Sequence, residues 1–121
     1  MYNMCDKVNV RILQGCVIMK VPDMIQAKEL KYYINNEDVL IIDLRDGKDY
    51  LKGHILGAIN YSYDEIYSNV EHIPRERTIL FYCDRGNKSL MVAARFTQFG
   101  YVAMSLAEGY AGYIKYNKSM H

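Results

Sequence analysis

The fold is decided by one stretch, Thr78-Ile-Leu-Phe-Tyr-Cys83-Asp-Arg-Gly-Asn-Lys88-Ser89. Its first part, Thr78–Tyr82, is β-branched, aromatic and apolar throughout, which is typical of a strand buried on both faces. Residues 84–88 are polar with one glycine and predict a tight loop. Ser89 is a candidate N-cap for a helix in which Leu90, Ala93 and Ala94 recur at helical spacing.

This order of strand, cysteine, loop and helix predicts an activated thiolate at Cys83. The backbone N–H groups of such a loop converge on the sulfur, and the positive end of the helix dipole lies behind it. Helix N-termini and neighbouring cations lower the pKa of a cysteine thiol from about 8.5 to roughly 3.5–7.5. The alternative is a buried structural cysteine. That interpretation is less favoured, because a structural cysteine has no need of Arg85, Gly86 and Lys88 around it.

Length and charge limit the class of protein. The chain has 121 residues, enough for one domain with a single core. Its formal net charge of +1 predicts neither a nucleic-acid partner nor a polybasic membrane patch. Charged residues interrupt every long apolar stretch, and residues 1–9 lack the apolar core of a signal peptide. We therefore expect a cytoplasmic protein that does not bind membranes.

The cysteines predict free thiols rather than a structural framework. Cys5, Cys16 and Cys83 make an odd number without Cys-x-x-Cys spacing, which disfavours both disulfides and a zinc site. Such usage fits a reducing compartment, and we expect no metal and no organic cofactor. Cys5 and Cys16 are candidates for resolving thiols of Cys83, but packed or exposed free thiols are the favoured interpretation.

Predicted strands and helices alternate along the chain. Strands are expected over residues 39–42, 59–61, 78–82 and 101–106, and helices over 27–34, 48–51, 63–70, 90–99 and 110–116. Alternation over short connections predicts an α/β fold with a parallel sheet covered on both faces. Ligands bind beyond the carboxyl ends of the strands in such sheets, where both Asp43 and Cys83 are expected to lie.

The beginning of the chain is interpreted separately. Residues 1–20 are expected to form an N-terminal extension, and residues 21–121 the domain. Within the extension, Val8, Val10 and Ile12 alternate with polar residues, which is consistent with a short edge strand. A second apolar run over residues 16–19 is another candidate strand.

Two blocks of the sequence resemble the rhodanese (sulfurtransferase) family. The first is Asp43-Leu-Arg45-Asp-Gly-Lys-Asp-Tyr50-Leu-Lys-Gly53-His54-Ile-Leu-Gly57-Ala58-Ile-Asn60, similar to the signature D-[VL]-R…Y-x-x-G-H-I-x-G-A-x-N. The second runs from Tyr82 to Ser89 and is followed by Phe99-Gly100-Tyr and Leu106-Ala-Glu-Gly109. The resemblance implies a single rhodanese-like domain, with a five-stranded parallel sheet flanked by helices on both faces. Glu108 and Tyr113 stand where many members have glycine and tryptophan.

The resemblance also implies the chemistry. Cys83 maps onto the family's nucleophile, and the loop residues Asp84, Arg85, Gly86, Asn87, Lys88 and Ser89 map onto its active-site loop. Such a cysteine takes a sulfane sulfur from thiosulfate or another persulfide donor, holds it as a persulfide, and passes it to a thiol or cyanide acceptor. The residues of the loop suit this chemistry, because the thiolate and the persulfide of Cys83 both carry negative charge on sulfur, which loop N–H groups stabilise.

Roles for the loop side chains follow from their chemistry. Arg85 and Lys88 are candidates for holding an anionic donor, with a solvent-facing Arg85 as an equal alternative. Asp84 is expected to cap loop N–H groups rather than to act as an acid or base, because a carboxylate facing a thiolate would raise the pKa of that thiol. Gly86 suits a position with positive φ, and Asn87 also tolerates one.

Three further residues are expected to support the site rather than react. Asp43 and Arg45 are expected to form a buried or half-buried structural pair near the loop. His54 is expected to be a structural hydrogen-bonding residue. No Cys-His-Asp triad can be assembled from the sequence.

Two other functions use a cysteine in a similar loop. Phosphatases and arsenate reductases carry arginine six positions after their cysteine, but here that position is Ser89 and the nearest cation, Lys88, comes one residue earlier. Lysine also lacks the bidentate fork that favours phosphoryl transfer. A persulfide carrier or binding module, acting with a sulfur-relay protein as partner, needs the same Cys83 loop. The sequence leaves that second alternative open.

Overall fold

The computed structural model describes residues 10–13, 17–20 and 22–120. Its strands are β1 (Val10–Leu13), β2 (Val17–Lys20), β3 (Asp23–Ile25), β4 (Val39–Asp43), β5 (Ile59–Asn60), β6 (Thr78–Tyr82) and β7 (Ala103–Leu106). Its α-helices are α1 (Gly47–Lys52), α2 (Asn87–Gln98) and α3 (Gly109–Ser119), and two 3₁₀ helices span Ala27–Tyr32 and Ile66–His72.

A five-stranded sheet with the order β3-β7-β6-β4-β5 forms the centre of the domain, and every pairing in it is parallel. The expected α/β fold is therefore confirmed. From β4 the chain continues to β5 on one side, whereas from β6 it continues to β7 on the other. This reversal leaves a crevice between the carboxyl ends of β4 and β6, which is where open α/β sheets bind ligands.

Both faces of the sheet are covered by apolar side chains. Along β6, Phe81 and the following Cys83 face a cluster that includes Val92 and Phe96 of α2, while Tyr82 faces the opposite cluster. Residues of the Ala27–Tyr32 helix, α1 and α3 contribute to that second cluster. Because side chains alternate along a strand, a strand buried on both faces favours apolar side chains at successive positions, as in Ile79–Tyr82.

The strand β3 (Asp23–Ile25) is not among the strands expected individually from the sequence. In the structure β3 pairs with β7 from Asp23↔Met104 to Ile25↔Leu106 and supplies the fifth strand of the sheet. It has three residues, and its burial pattern is exposed, exposed, buried. Such a short edge strand shows no periodicity from which it can be predicted.

The two helices expected over residues 27–34 and 63–70 form 3₁₀ helices instead, at Ala27–Tyr32 and Ile66–His72. Each buries one apolar anchor, Leu30 and Ile66. Short connecting segments commonly adopt the tighter 3₁₀ geometry, and each anchor packs into one of the two apolar clusters that cover the sheet.

The N-terminal strands form a sheet of their own. β1 and β2 pair antiparallel from Val10↔Lys20 to Leu13↔Val17, separate from the five-stranded sheet. The expected edge strand therefore does not extend the main sheet. Val8, Cys5 and Cys16 lie outside the described residues, and the division of the chain after residue 20 stays a prediction. No helix in the described ranges has the length and apolar character needed to cross a membrane.

Candidate active site

Cys83 lies at the carboxyl end of β6, and the three-residue loop 84–86 connects it to the start of α2 at Asn87. The N–H groups of Gly86 and Ser89 donate to its Sγ at 3.2 and 3.3 Å. The first N–H groups of a helix have no acceptor within the helix, and in α2 the sulfur takes that place. The predicted convergence of peptide N–H groups on Cys83 is confirmed by these two distances.

The helix begins two residues earlier than its predicted N-cap, so the assignment of Ser89 as N-cap is wrong. Gly86 precedes the helix with φ 100° and ψ −15°, a left-handed conformation that suits glycine. A Cβ on Gly86 would also lie 3.0 Å from the backbone nitrogen of Glu108. Because Gly86 makes this turn alone, Asn87 is helical rather than left-handed, and Lys88 and Ser89 belong to the first helical turn.

The N-terminus of α3 fastens the cysteine loop from the other side. The N–H of Tyr110 donates to the carbonyl of Cys83 at 2.8 Å, and that of Ala111 donates to the carbonyl of Asp84 at 3.0 Å. Gly109, with φ +58°, leaves no room for a side chain, because a Cβ there would clash with the Cys83 carbonyl oxygen. Glu108 also has positive φ, at 63°, a conformation that glycine adopts more readily than other residues.

Asp43 and Arg45 form the expected buried pair, and Tyr82 joins it. Arg45 Nη2 and the Tyr82 hydroxyl each donate to Asp43 Oδ2 at 2.7 Å. Burial, reinforced by the hydrogen bond to Asp43, raises the pKa of Tyr82 well above its usual range. Burial opposes the charge of Arg45, but the hydrogen bonds and charge of Asp43 outweigh it and raise the pKa of Arg45. The network joins the carboxyl ends of β4 and β6.

A cavity of about 310 Å³ opens at this edge of the sheet, and Cys83 lies in its wall. The sulfur-bearing residue is 6% exposed, so only a small part of it is accessible. The lining residues follow the three strands β4, β5 and β6: Leu44, Arg45, Asp46 and Asp49 after the first, Tyr63 and Asp64 after the second, and Cys83, Asp84, Arg85, Asn87 and Lys88 after the third.

The charge around the cavity is unevenly balanced. Four carboxylates line it, those of Asp46, Asp49, Asp64 and Asp84. No described residue forms an ion pair with any of the four. Since Arg45 is paired with Asp43, the free cations are those of Arg85 and Lys88. Among the described lining residues, carboxylates without an ion-pair partner therefore outnumber the free cations.

The charged side chains of the loop, Asp84, Arg85 and Lys88, all line the cavity, but their contacts differ. Arg85 and Lys88 both line the cavity, and Lys88 Nζ lies 5.0 Å from the ring centroid of Tyr63. The carboxylate of Asp84 is exposed and accepts no hydrogen bond from a described residue, so its expected capping role is wrong.

His54 lies outside this cavity. Its Nδ1 lies 2.8 Å from the Tyr50 carbonyl oxygen, and its ring stacks on that of Tyr50 with centroids 3.8 Å apart. The expected structural hydrogen bond is confirmed.

The sequence analysis missed the cavity residues that follow β4 and β5, namely Asp46, Asp49, Tyr63 and Asp64. A signal was available, because the carboxyl ends of neighbouring parallel strands meet at one edge. The segment that follows the predicted strand 59–61 was therefore a candidate for the cavity lining. The sequence did not show that this strand pairs with β4.

Comparison with known proteins identifies the family. A family model described as Rhodanese-like domain matches residues 26–116. The chain belongs to the rhodanese-like domain family. The resemblance seen in the two sequence blocks is thereby confirmed, and the loop around Cys83 falls inside the matched range.

Named relatives extend the comparison. This rhodanese-like domain is 39% identical over 70 residues to a tRNA sulfurtransferase of Pyrobaculum aerophilum, a match covering 58% of this chain and 14% of that protein. It is 29% identical over 68 residues to the thiosulfate sulfurtransferase GlpE of Coxiella burnetii, covering 56% of this chain and 64% of that one. The chain thus corresponds to a small part of the first relative and to less than two thirds of the second.

The fold also matches solved structures. A rhodanese-related protein from Thermoplasma volcanium superposes with a TM-score of 0.71, covering 78% of this chain and 92% of that one at 21% identity. At this identity the likeness supports the fold alone.

Proposed function

We propose that this rhodanese-like domain is a sulfurtransferase that works through a persulfide on Cys83. In the first step the Cys83 thiolate attacks the outer sulfur of a donor such as thiosulfate. The donor's S–S bond breaks and sulfite leaves with the electron pair, so that Cys83 carries a persulfide anion. In the second step an acceptor such as a thiolate or cyanide attacks the outer sulfur. The persulfide S–S bond then breaks and the Cys83 thiolate is regenerated.

The observation that carries this proposal is the pair of N–H groups on Cys83 Sγ, from Gly86 at 3.2 Å and Ser89 at 3.3 Å. Preorganised N–H donors stabilise negative charge without any reorganisation during the reaction, and the dipole of α2 adds to them. The N–H groups of Asn87 and Lys88 have no acceptor among the described residues. They are available for the second, outer sulfur of the persulfide.

The charge of the cavity supports a persulfide donor over free thiosulfate. Four carboxylates face two free cations there, and charges within about 8 Å of one another are only partly screened at physiological ionic strength. A compact dianion such as thiosulfate therefore meets more carboxylates than free cations there, whereas a persulfide group on an otherwise neutral thiol carries a single charge. This favours the second candidate function, a carrier that receives its sulfur from a persulfide on a partner protein.

The catalytic cycle also supports a place of action. Cys83 must return as a free thiolate after every turnover, which a reducing compartment such as the cytoplasm permits. We therefore propose that the protein works there, without a metal or organic cofactor.

A turnover assay separates the candidates. Thiocyanate formation from cyanide is measured with thiosulfate and, in parallel, with the persulfide of 2-mercaptoethanol, a neutral thiol, as donor; a phenyl phosphate tests the phosphatase alternative. We expect turnover with both sulfur donors, faster with the persulfide, and in Cys83→Ser no rate above the uncatalysed reaction of cyanide with each donor. Phosphate release faster than thiocyanate formation contradicts the proposal.

A further inference from the structure

Two fully buried hydroxyl groups lie behind the sulfur of Cys83. Ser89, in the first turn of α2, and Ser105, in β7, are both 0% exposed. Their Oγ atoms are 2.8 Å apart. Ser89 Oγ also lies 3.4 Å from Cys83 Sγ and 3.2 Å from the carbonyl oxygen of Gly86. Nothing in the proposed chemistry uses Ser105.

We propose that Ser105 is a positioning residue for Cys83, acting through the hydroxyl of Ser89. The inference rests on the proposed function, because it concerns the same thiolate. It follows from counting protons and acceptors. Among the described residues, Ser89 Oγ is the only hydrogen-bond partner of the Ser105 hydroxyl. A buried donor left without an acceptor is costly, so Ser105 donates to Ser89.

This assignment leaves the proton of Ser89 with two acceptors, the Gly86 carbonyl and Cys83 Sγ. When Cys83 is a neutral thiol, its S–H donates to Ser89 Oγ, and Ser89 donates to the Gly86 carbonyl. When Cys83 is a thiolate, the Ser89 hydroxyl turns and donates to the sulfur. The thiolate then accepts three hydrogen bonds, from this hydroxyl and from the N–H groups of Gly86 and Ser89.

The arrangement distinguishes the steps of sulfur transfer. Charge lies on Sγ in the free thiolate and when that thiolate leaves in the second step, but on the outer sulfur in the persulfide. Ser105 holds Ser89 so that its proton can follow the charge on Sγ by rotation of one hydroxyl. It therefore stabilises the thiolate more than the persulfide, and favours release of the sulfur to the acceptor.

The test is the pH dependence of Cys83 alkylation by iodoacetamide, in a protein carrying Cys5→Ser and Cys16→Ser. We expect Ser105→Ala to move the pH of half-maximal rate upward by about half to one unit, since hydrogen bonds to charged groups are the stronger ones. Ser89→Ala should move it at least as far. Because Ser105 acts through Ser89, the double variant should move it no further than Ser89→Ala.

Two comparisons separate this role from general stability. Thr97→Val removes another buried hydroxyl of α2, one that donates to the Ala93 carbonyl at 2.9 Å, and should leave the alkylation profile unchanged. Ser105→Thr and Ser105→Val have nearly equal volume and differ in the hydroxyl, so the threonine variant should retain the profile and the valine variant should lose it.

An unchanged profile in Ser105→Ala overturns the proposal, as does an equal shift of the Thr and Val variants or a full additional shift in the double variant. Alkylation needs no sulfur donor. The positioning role and the sulfurtransferase activity can therefore fail independently of each other.

Discussion

The hydroxyl of Tyr82 donates a hydrogen bond of 2.7 Å to Oδ2 of Asp43. Tyr82 is the last residue of β6 and Asp43 the last of β4, and the two lie opposite each other in the parallel pairing. The same hydroxyl accepts the N–H of Ile55 at 3.1 Å. The side chain of Tyr82, the residue before Cys83, therefore links the carboxyl ends of β4 and β6, next to the cavity.

Replacing this tyrosine tests its part in the fold. Tyr82→Phe removes a donor from the buried Asp43 carboxylate and an acceptor from Ile55, and we expect it to lower the free energy of unfolding by about 1–3 kcal/mol. Urea denaturation at neutral pH measures the loss. Tyr32→Phe, at a side chain 66% exposed, is the control and should leave this free energy unchanged.

The Tyr82→Phe variant also tests how folding stability depends on pH in the alkaline range. Burial raises the pKa of Tyr82 above its unfolded value, so the folded protein keeps a proton that the unfolded chain releases above about pH 10. Folding stability therefore falls as pH rises beyond that value, by about 1.4 kcal/mol per pH unit for this one proton. Tyr82→Phe should lose less stability than the wild type over the same range. Parallel curves for the two proteins would show that Tyr82 does not titrate this way.

The charges of the cavity predict opposite effects on anionic donors. Arg85→Ala removes a free cation and should raise the KM for thiosulfate by about 2–5-fold, whereas Asp64→Asn removes a carboxylate and should lower it by a similar factor. Lys31→Ala, at an exposed lysine outside the cavity, is the control. A KM that does not respond to either change excludes these side chains from donor binding.

The turn before α3 contains Glu108 in a strained backbone conformation, and a substitution can remove that strain. Glu108 has φ 63°, and a side chain in the left-handed region costs about 1–2 kcal/mol. Glu108→Gly removes that strain but makes the unfolded chain more flexible, so the net gain in unfolding free energy should be about 0.5–1 kcal/mol. Asn35→Gly, at φ 62°, should gain less, because asparagine tolerates this conformation. A loss of stability in Glu108→Gly contradicts the interpretation.

Gly109 is predicted to be required for the shape of the loop. A methyl group there clashes with the carbonyl oxygen of Cys83, so Gly109→Ala should lower stability by about 2 kcal/mol or more and slow sulfur transfer. Gly57→Ala is the matched control, because Gly57 also has positive φ, at +84°, but a Cβ there meets no atom within 4 Å. Its cost should be that of backbone strain alone, with transfer unchanged.

Much of the site was predictable because its signals are local in the sequence. A strand apolar on both faces, a cysteine where it ends and one glycine shortly after it are enough to place Cys83 before a helix N-terminus. The position of the N-cap was wrong because a serine near a helix start resembles a cap. In the structure the left-handed Gly86 makes the turn instead.

The rest depends on contacts between distant parts of the chain. β3 forms because Asp23–Ile25 pairs with the edge of β7, and its own sequence has no strong strand pattern. The acidic lining of the cavity comes from segments after β4 and β5 that approach Cys83 only when the sheet is formed. Ser105 interrupts an otherwise apolar strand, and a polar residue in a strand buried on both faces signals a buried partner.

Intact-protein mass spectrometry with wild type and Cys83→Ser tests the central claim most directly. Each protein is treated with glutathione persulfide and then with cyanide, under conditions where the folded state is verified by circular dichroism. We predict that the wild type gains the mass of one sulfur atom and loses it with cyanide, whereas Cys83→Ser gains none. An equal gain in both proteins, or a gain in neither, would show that Cys83 does not carry the sulfur.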